Sequence, residues 1–345
     1  MLPEFRRAAG TGGASKVTWS LDPPRARSIA YQALLAAAVG LAAWYLISNA
    51  VENLLARRIA SGFGFLSREA GFEIGETTLL SYNAADTYLR AIAVGLLNTF
   101  RVATLAIIFS TLLGGFLGLA RLSLNWLLTK LAAGYIEVIR NVPLVVQLFF
   151  WYAVITEGLP APAEALNPAP GVFLSNRGLA FPILASALPL KLDYPQLSGF
   201  NFSGGALLSP EFAALLLGLT LYTAAFIAEI VRAGILAVDR GQFEAAYSLG
   251  LKHGQVMRFI ILPQALRVIV PPLTSQYLNC AKNSSLAVAI GYPDLVSIAN
   301  TTINQTGQAI EGIAIIMLVY LTISLAISAF MNGYNRRIAL RGTKP

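Results

Sequence analysis

Two short constellations set polar and charged side chains where the surrounding sequence is apolar, and these are the places where the chain could do chemistry. In YIEVIRNVPLVVQLFFWY, Glu137 and Arg140 are three residues apart and share a helical face, while Asn141 and Pro143 invite a break. An arginine at the centre of a bilayer costs about 2.5–3.5 kcal/mol on insertion scales, a cost usually met by a broken, paired and protein-buried site. Arg140 and Asn141 are therefore candidates for lining a substrate path; the other reading places Glu137 and Arg140 near the cytoplasmic end of a span, neutralising each other. In KNSSLAVAIGYPDL, Lys282, Asn283, Ser284 and Ser285 precede a Gly-Tyr-Pro break. Donors at a helix interruption are a geometry that binds carboxylates within a membrane, so these four are path candidates too. Alternatively, Lys282 only snorkels toward the interface.

Other chemistries find little support. Cys280 is the one cysteine, so no internal disulfide forms, and with one histidine no metal site of familiar spacing can be built. GTGGASKV resembles a phosphate loop only superficially: Ser15 stands where the glycine before the lysine belongs, and Val17 where Ser or Thr belongs. The chain carries no catalytic residues, no metal and no cofactor of its own on this reading.

A third stretch, QFEAAYSLGLKHGQVMRFIILP from Gln242 to Pro263, lies between long apolar runs yet carries Glu244, Lys252, His253 and Arg258. It reads as a water-facing loop of two short helices jointed at Gly250, which lets the chain turn without Cβ interference. Glu244 would open the first helix near its positive end, with Ala245 and Ala246 small enough for a partner surface to approach closely. The second helix delivers Ile260, Leu262 and Pro263 to the membrane edge, where Pro at a helix start is tolerated.

The elements that must position these residues are membrane spans. Of 345 residues, 56% are hydrophobic and 12% charged, with mean hydropathy +0.64, too little polar surface for a soluble globule. The net charge of +8 is dispersed between apolar runs and forms no stripe, so nucleic acid is not a partner and the lipid bilayer is. Residues 1–28 read as a cytoplasmic tail closed by Pro23-Pro24, and 29–50 as an uncleaved first span. Residues 51–90 are too polar to cross; an amphipathic element on the outer surface or a plain connecting loop fits them. The main transmembrane domain covers 91–335. It includes a span with the close-packing pattern Gly114-x-x-x-Gly118, a periplasmic insertion at 157–210, a cytoplasmic loop at 237–263, and a span interrupted by Pro271-Pro272. The apolar piece at 178–190 is too short to cross, which favours a folded outer loop or re-entrant element and six spans; an extra pair of spans would make eight. Residues 336–345 form a cytoplasmic C-terminus. With six spans and both termini inside, sixteen Lys and Arg lie inside and six outside, as the positive-inside rule requires.

Glu-Ala-Ala, three residues, Gly250, nine residues, then Ile260-x-Leu262-Pro263 resembles the signature loop of permease subunits of bacterial ABC importers. From Gly95 onward, GLLNTFRVA, YIEVIRNVPLVVQLFFWY, TAAFIAEIVRAGI and KNSSLAVAIGYPDL resemble the polar amino-acid uptake branch of that family. The first span, FGFLSREAGFEIGE and the Pro-rich insertion are similar to the Q-type subunits of general L-amino-acid permeases of Gram-negative bacteria. The resemblance implies an all-α, type I importer permease fold with five core transmembrane helices plus one added N-terminal span, multi-pass in the bacterial inner membrane. It also implies the partners: a homologous permease subunit, an ABC ATPase dimer that uses ATP-Mg, a periplasmic amino-acid-binding protein, and an L-amino acid as substrate. In that family the loop is a coupling helix seated in a cleft of the ATPase, which gives Glu244, Ala245, Ala246, Gly250, Ile260, Leu262 and Pro263 their implied role. An ion-coupled secondary transporter is the alternative; it would need intramembrane carboxylates, for which Glu137 and Glu229 are the candidates.

Overall fold

The computed structural model describes residues 23–56, 61–184 and 192–338. Most of the tail read at 1–28, including the glycine-rich 10–17, lies outside them, as do 57–60, the end of the 178–190 piece and most of the C-terminus at 336–345. Residues 1–60 and 61–345 form two separate units. In the first, helix α1 runs Pro23–Ala56, starting on a proline whose missing N–H has no partner to lose there. Its stretch Arg27–Asn53 is long and apolar enough to cross a bilayer.

The second unit is built on α2 (Tyr88–Ala120), the broken pair α3 (Trp126–Asn141) and α4 (Leu144–Thr156), and α5 (Pro210–Leu236). Then come the short α6 (Arg240–Ser248), α7 (His253–Gln255) leading through a π turn into α8 (Leu262–Asn283), α9 (Leu295–Thr306) and α10 (Ala309–Ile338). Among the described residues five helices pass as spans, or six when α3 and α4, bent by 106° at Pro143, count as one broken span. This agrees with six crossings. The helix through Pro271-Pro272 is continuous, in contrast to the interruption expected there. It packs between α5 and α10, and membrane helices tolerate proline where neighbours re-satisfy the backbone.

Small residues set how closely the helices approach. A Cβ on Gly114 would lie 2.7 Å from Ile227 Cβ, and one on Gly118 would lie 2.7 Å from the Ala228 carbonyl, so α2 and α5 meet backbone to backbone. Around that seam Val102, Leu148, Phe212, Leu215, Leu219 and Tyr292 form the main apolar core. At the α3–α4 break, Gln147 Nε2 donates to the carbonyls of Ile139 and Val142 at 2.9 and 3.0 Å, so the backbone opened by Pro143 is not left bare.

The insertion departs from the all-helical chain. It folds as an antiparallel sheet of β1 (Leu166–Ala169), β2 (Val172–Ser175), β3 (Gly178–Phe181) and β8 (Ala206–Leu208), in that order. Two hairpins join it, β4 (Ile183–Leu184) with β5 (Leu192–Asp193), and β6 (Gln196–Ser198) with β7 (Asn201–Ser203). In the described part of the 178–190 piece β3 is paired on both sides and β4 with β5, so it supplies no extra span.

Residues 61–87 take the form of the connecting loop, the second of the two readings of that stretch: a 3-10 turn at Phe63–Ser67 leads into an extended strap packed on the bundle. Phe65, Ala70 and Ile74 are buried with Tyr88, Leu295 and Ile298, and Gln308 Nε2 donates to the Gly62 carbonyl at 2.9 Å. The charges that made the stretch look like a surface element are partly spent inside: Glu76 is 6% exposed and bonded to Arg101 at 2.7 Å.

Candidate functional site: the jointed loop and the cavity behind it

Helix α6 begins one turn earlier than expected. Asp239 caps it, accepting from Gly241 N at 2.7 Å, so Glu244 sits in mid-helix and not at the positive end. Phe243 and Ala246 turn inward against Ile235, Val238, Val256 and Ile261, which fixes α6 to the bundle. Glu244, Ala245, Tyr247 and Leu249 face out, Leu249 being 81% exposed.

The joint forms at Gly250, whose φ of +76° lies in the left-handed region. Gly250 N donates to Tyr247 O at 2.9 Å and Leu251 N to Ala246 O at 3.3 Å, the two bonds of a glycine-terminated helix end. Lys252 N then donates to Gln255 Oε1, and the Tyr247 hydroxyl meets His253 Nδ1 at 2.7 Å across the joint. The second short helix of the sequence reading is instead the start of a long one. From His253 the chain stays helical to Ile290, with a π turn over Val256–Ile261 in which Leu262 N reaches Met257 O. Pro263 follows that turn, where its missing N–H is absorbed by the changed register. Of the seven residues singled out in the loop, Ala246 is buried and Ile260 half-buried, while Glu244, Ala245, Gly250, Leu262 and Pro263 are exposed. Tyr247 and Leu249 were missed; an apolar residue just before a helix-ending glycine was their only signal.

Behind the loop, at the end of the bundle where α2 and α5 finish, Arg121, Glu137, Arg140, Asn141, Phe226 and Glu229 line a cavity of about 490 Å³. Arg232 grips Glu229 with two nitrogens, at 3.1 and 2.5 Å, and Arg121 approaches it to 3.7 Å. Arg140 lies over the Phe226 ring, 4.9 Å from its centre. Glu137 and Arg140 share the helix face as expected, but among the described residues they form no ion pair with each other.

Lys282–Ser285 do not line this cavity. The helix does change there, to a 3-10 stretch over Ser284–Ile290 ending on Gly291 at φ +77°. The hydroxyls are spent on it: Ser284 donates to Ala281 O and Ser285 to Lys282 O, both at 2.8 Å. Lys282 is exposed and Asn283 half-buried.

Beyond that turn Asp294 is fully buried outside the spanning helices. One oxygen caps α9 by accepting from Ser297 N at 2.8 Å, and the other has no partner among the described residues. Burial pushes its carboxyl from the ordinary 3.8 up to about 7, against the pull of the helix N–H groups. Between those values the folded protein holds a proton that the unfolded chain has released, so stability falls as pH rises through the window and levels off above it. Asp294→Asn, which keeps the cap, is expected to flatten the dependence of melting temperature on pH between about 4 and 7. Identical slopes in parent and variant would refute the assignment.

Residues 110–340 match the family described as "Binding-protein-dependent transport system inner membrane component". A putative amino-acid ABC transporter permease, YhdX of Escherichia coli K12, is 48% identical over 94% of this chain and 97% of its own length. AapQ, a general L-amino acid transport system permease of Rhizobium johnstonii, is 41% identical over 96% of each. The crystal structure of an amino acid ABC transporter with histidines superposes with a TM-score of 0.54 and 29% identity, covering 72% of this chain and 95% of that one. The helix bundle, its jointed loop and these likenesses agree: the chain is a multi-pass inner-membrane protein and belongs to the permease family of binding-protein-dependent ABC transport systems.

Proposed function

We propose that this chain is a translocating subunit of an ATP-driven importer for L-amino acids, working with a homologous permease, an ABC ATPase dimer on the cytoplasmic side and a periplasmic amino-acid-binding protein. The observation that carries the reading is the loop: α6 is clamped to the bundle by Phe243 and Ala246 and offers Glu244, Ala245, Tyr247 and Leu249 outward. A partner seated on that face pushes on a rigid object. From Gly250 the push passes into one helix from His253 to Ile290, long enough to cross the bilayer, so closure of the ATPase dimer around ATP becomes a tilt of the bundle. ATP-Mg belongs to the ATPase, and this chain makes and breaks no covalent bond. The full-length likeness to amino-acid permeases supports the substrate class. Ion coupling has no support: Glu229, one of the two carboxylates it would use, is held by two arginines.

The test is co-purification with a neighbouring ATPase and permease, followed by uptake of labelled amino acids into proteoliposomes. Uptake that needs both ATP and the binding protein is expected. Uptake driven by an ion gradient without ATP would overturn the reading.

A further inference from the structure

We propose that the cluster of buried oxygens around Asp294 is a site for one monovalent alkali cation, which draws its ligands from Asp294, Tyr292, Tyr320, Thr99, Ser284 and Ser285. The ion ties helices together and takes no part in driving transport, so the site stands apart from the importer reading.

Four elements bring these oxygens together. Thr99 comes from α2, Ser284 and Ser285 from the 3-10 turn after α8, Tyr292 and Asp294 from the segment that enters α9, and Tyr320 from α10. Thr99, Ser284, Tyr292 and Asp294 are each at most 1% exposed. The Tyr320 hydroxyl lies among those of Thr99, Ser284 and Ser285 and in the field of the Asp294 carboxylate, a field that the Tyr292 hydroxyl shares. Yet the second oxygen of Asp294 and both phenolic oxygens have no hydrogen-bond partner among the described residues. Buried polar atoms in native proteins are nearly all bonded, so three orphaned oxygens in one neighbourhood point to a ligand.

The protons decide which ligand. A hydroxyl has one proton to give and two lone pairs. Thr99 gives its proton to the Gly95 carbonyl at 2.9 Å, and Ser284 and Ser285 give theirs to Ala281 O and Lys282 O at 2.8 Å. All three therefore offer only lone pairs to anything that settles among them. Asp294 adds a negative charge, and among the described residues no ion pair offsets it. Glu76 and Arg101, the nearest other charges, cancel in a pair of their own at 2.7 Å. A water would satisfy the orphaned oxygens and leave the charge in place, whereas a cation does both. Oxygen ligands without nitrogen or sulfur suit hard cations. A divalent ion would exchange one buried negative charge for one buried positive charge, so the single carboxylate selects a single charge.

The test uses the full chain, purified from membranes with its partners and held in nanodiscs at about pH 8, above the window in which Asp294 sheds its proton. Sodium chloride is titrated against N-methylglucamine chloride at constant ionic strength, with potassium and magnesium chloride as further arms, and hydrogen exchange is read in peptides from α9. Sodium or potassium should slow exchange in α9 by about fivefold or more, along a saturating curve, and N-methylglucamine should not. Which alkali ion acts at the lower concentration identifies the preferred one. Asp294→Asn keeps the cap and removes the charge, so its α9 should exchange no faster than the parent's in N-methylglucamine and should ignore the alkali ions. Tyr320→Phe keeps the charge and the ring, and it should raise the half-saturating concentration by about tenfold. No protection by either alkali ion would mean ordered water only and would overturn the site. Protection by magnesium alone, or a parental response in both variants, would overturn it as well.

Discussion

Glu244→Lys is expected to abolish ATP-driven uptake while the protein stays in the membrane at parental level and melts at the parental temperature. The side chain is exposed in the middle of α6, and among the described residues it forms no ion pair, so its reversal touches nothing that holds the bundle together. Surface changes of this kind shift stability by about 0.5 kcal/mol or less. At a docked interface the same change places a cation where a carboxylate was fitted, and loss of a desolvated charge partner costs about 2–5 kcal/mol of binding. Gly250→Arg should act with it for a different reason. The backbone there is left-handed, which costs about 1–2 kcal/mol for a residue with a Cβ, and the space around the Cβ position is open, so the long side chain projects toward the partner without a clash inside the chain. Gly250→Asn, which tolerates that conformation, should keep most of the activity. Pull-down of the ATPase, proteoliposome uptake and thermal unfolding in detergent separate these effects. Uptake by Glu244→Lys at the parental rate would remove the loop from the force path.

The loop was legible because its signal is local. A polar stretch between apolar runs, two alanines and a glycine at fixed spacing mark a surface helix and its end, and the helix indeed stops at Gly250. What the sequence hid there was the capping residue, since Asp239 and Glu244 are both carboxylates within one turn of a plausible start, and only the bond to Gly241 N decides between them. The spans were legible from hydropathy, except that the helix through Pro271-Pro272 runs from His253 to Ile290, well beyond its most apolar stretch. The strap at 61–87 and the β insertion were not. Strands of two to four residues are too short to show alternation, and their pairing is set by contacts across tens of residues, such as Leu179 with Leu208. The relation of Glu137 to Arg140 was half legible: periodicity places them on one face, but whether they pair depends on where Phe226 and Glu229 of α5 stand.

Removal of Glu76 is expected to give the largest loss of stability in the chain. Arg101 lies thirteen residues into α2, about 20 Å along the helix at 1.5 Å per residue, with its side chain 15% exposed. Its guanidinium lies over Phe212 at 4.2 Å and bonds Glu76 at 2.7 Å. The other oxygen of Glu76 accepts from Ser209, the cap of α5, at 2.8 Å, and its backbone carbonyl accepts from Asn98 at 2.9 Å. One carboxylate thus ties the strap to the middle of α2 and to the start of α5. Glu76→Ala leaves the Arg101 charge buried and uncompensated, a change that costs about 3–5 kcal/mol in such pairs. Replacing both charges by apolar groups removes the desolvation cost along with the attraction, and that exchange is often close to neutral. Glu76→Ala and Arg101→Met should therefore each lower the melting temperature and open the strap to protease between residues 61 and 87. Glu76→Leu combined with Arg101→Met should melt closer to the parent than either single variant does. Should Glu76→Ala melt with the parent and keep the strap protected, the apolar contacts of Phe65 and Ile74 hold the strap by themselves, and the ion pair is a consequence of their packing rather than its cause.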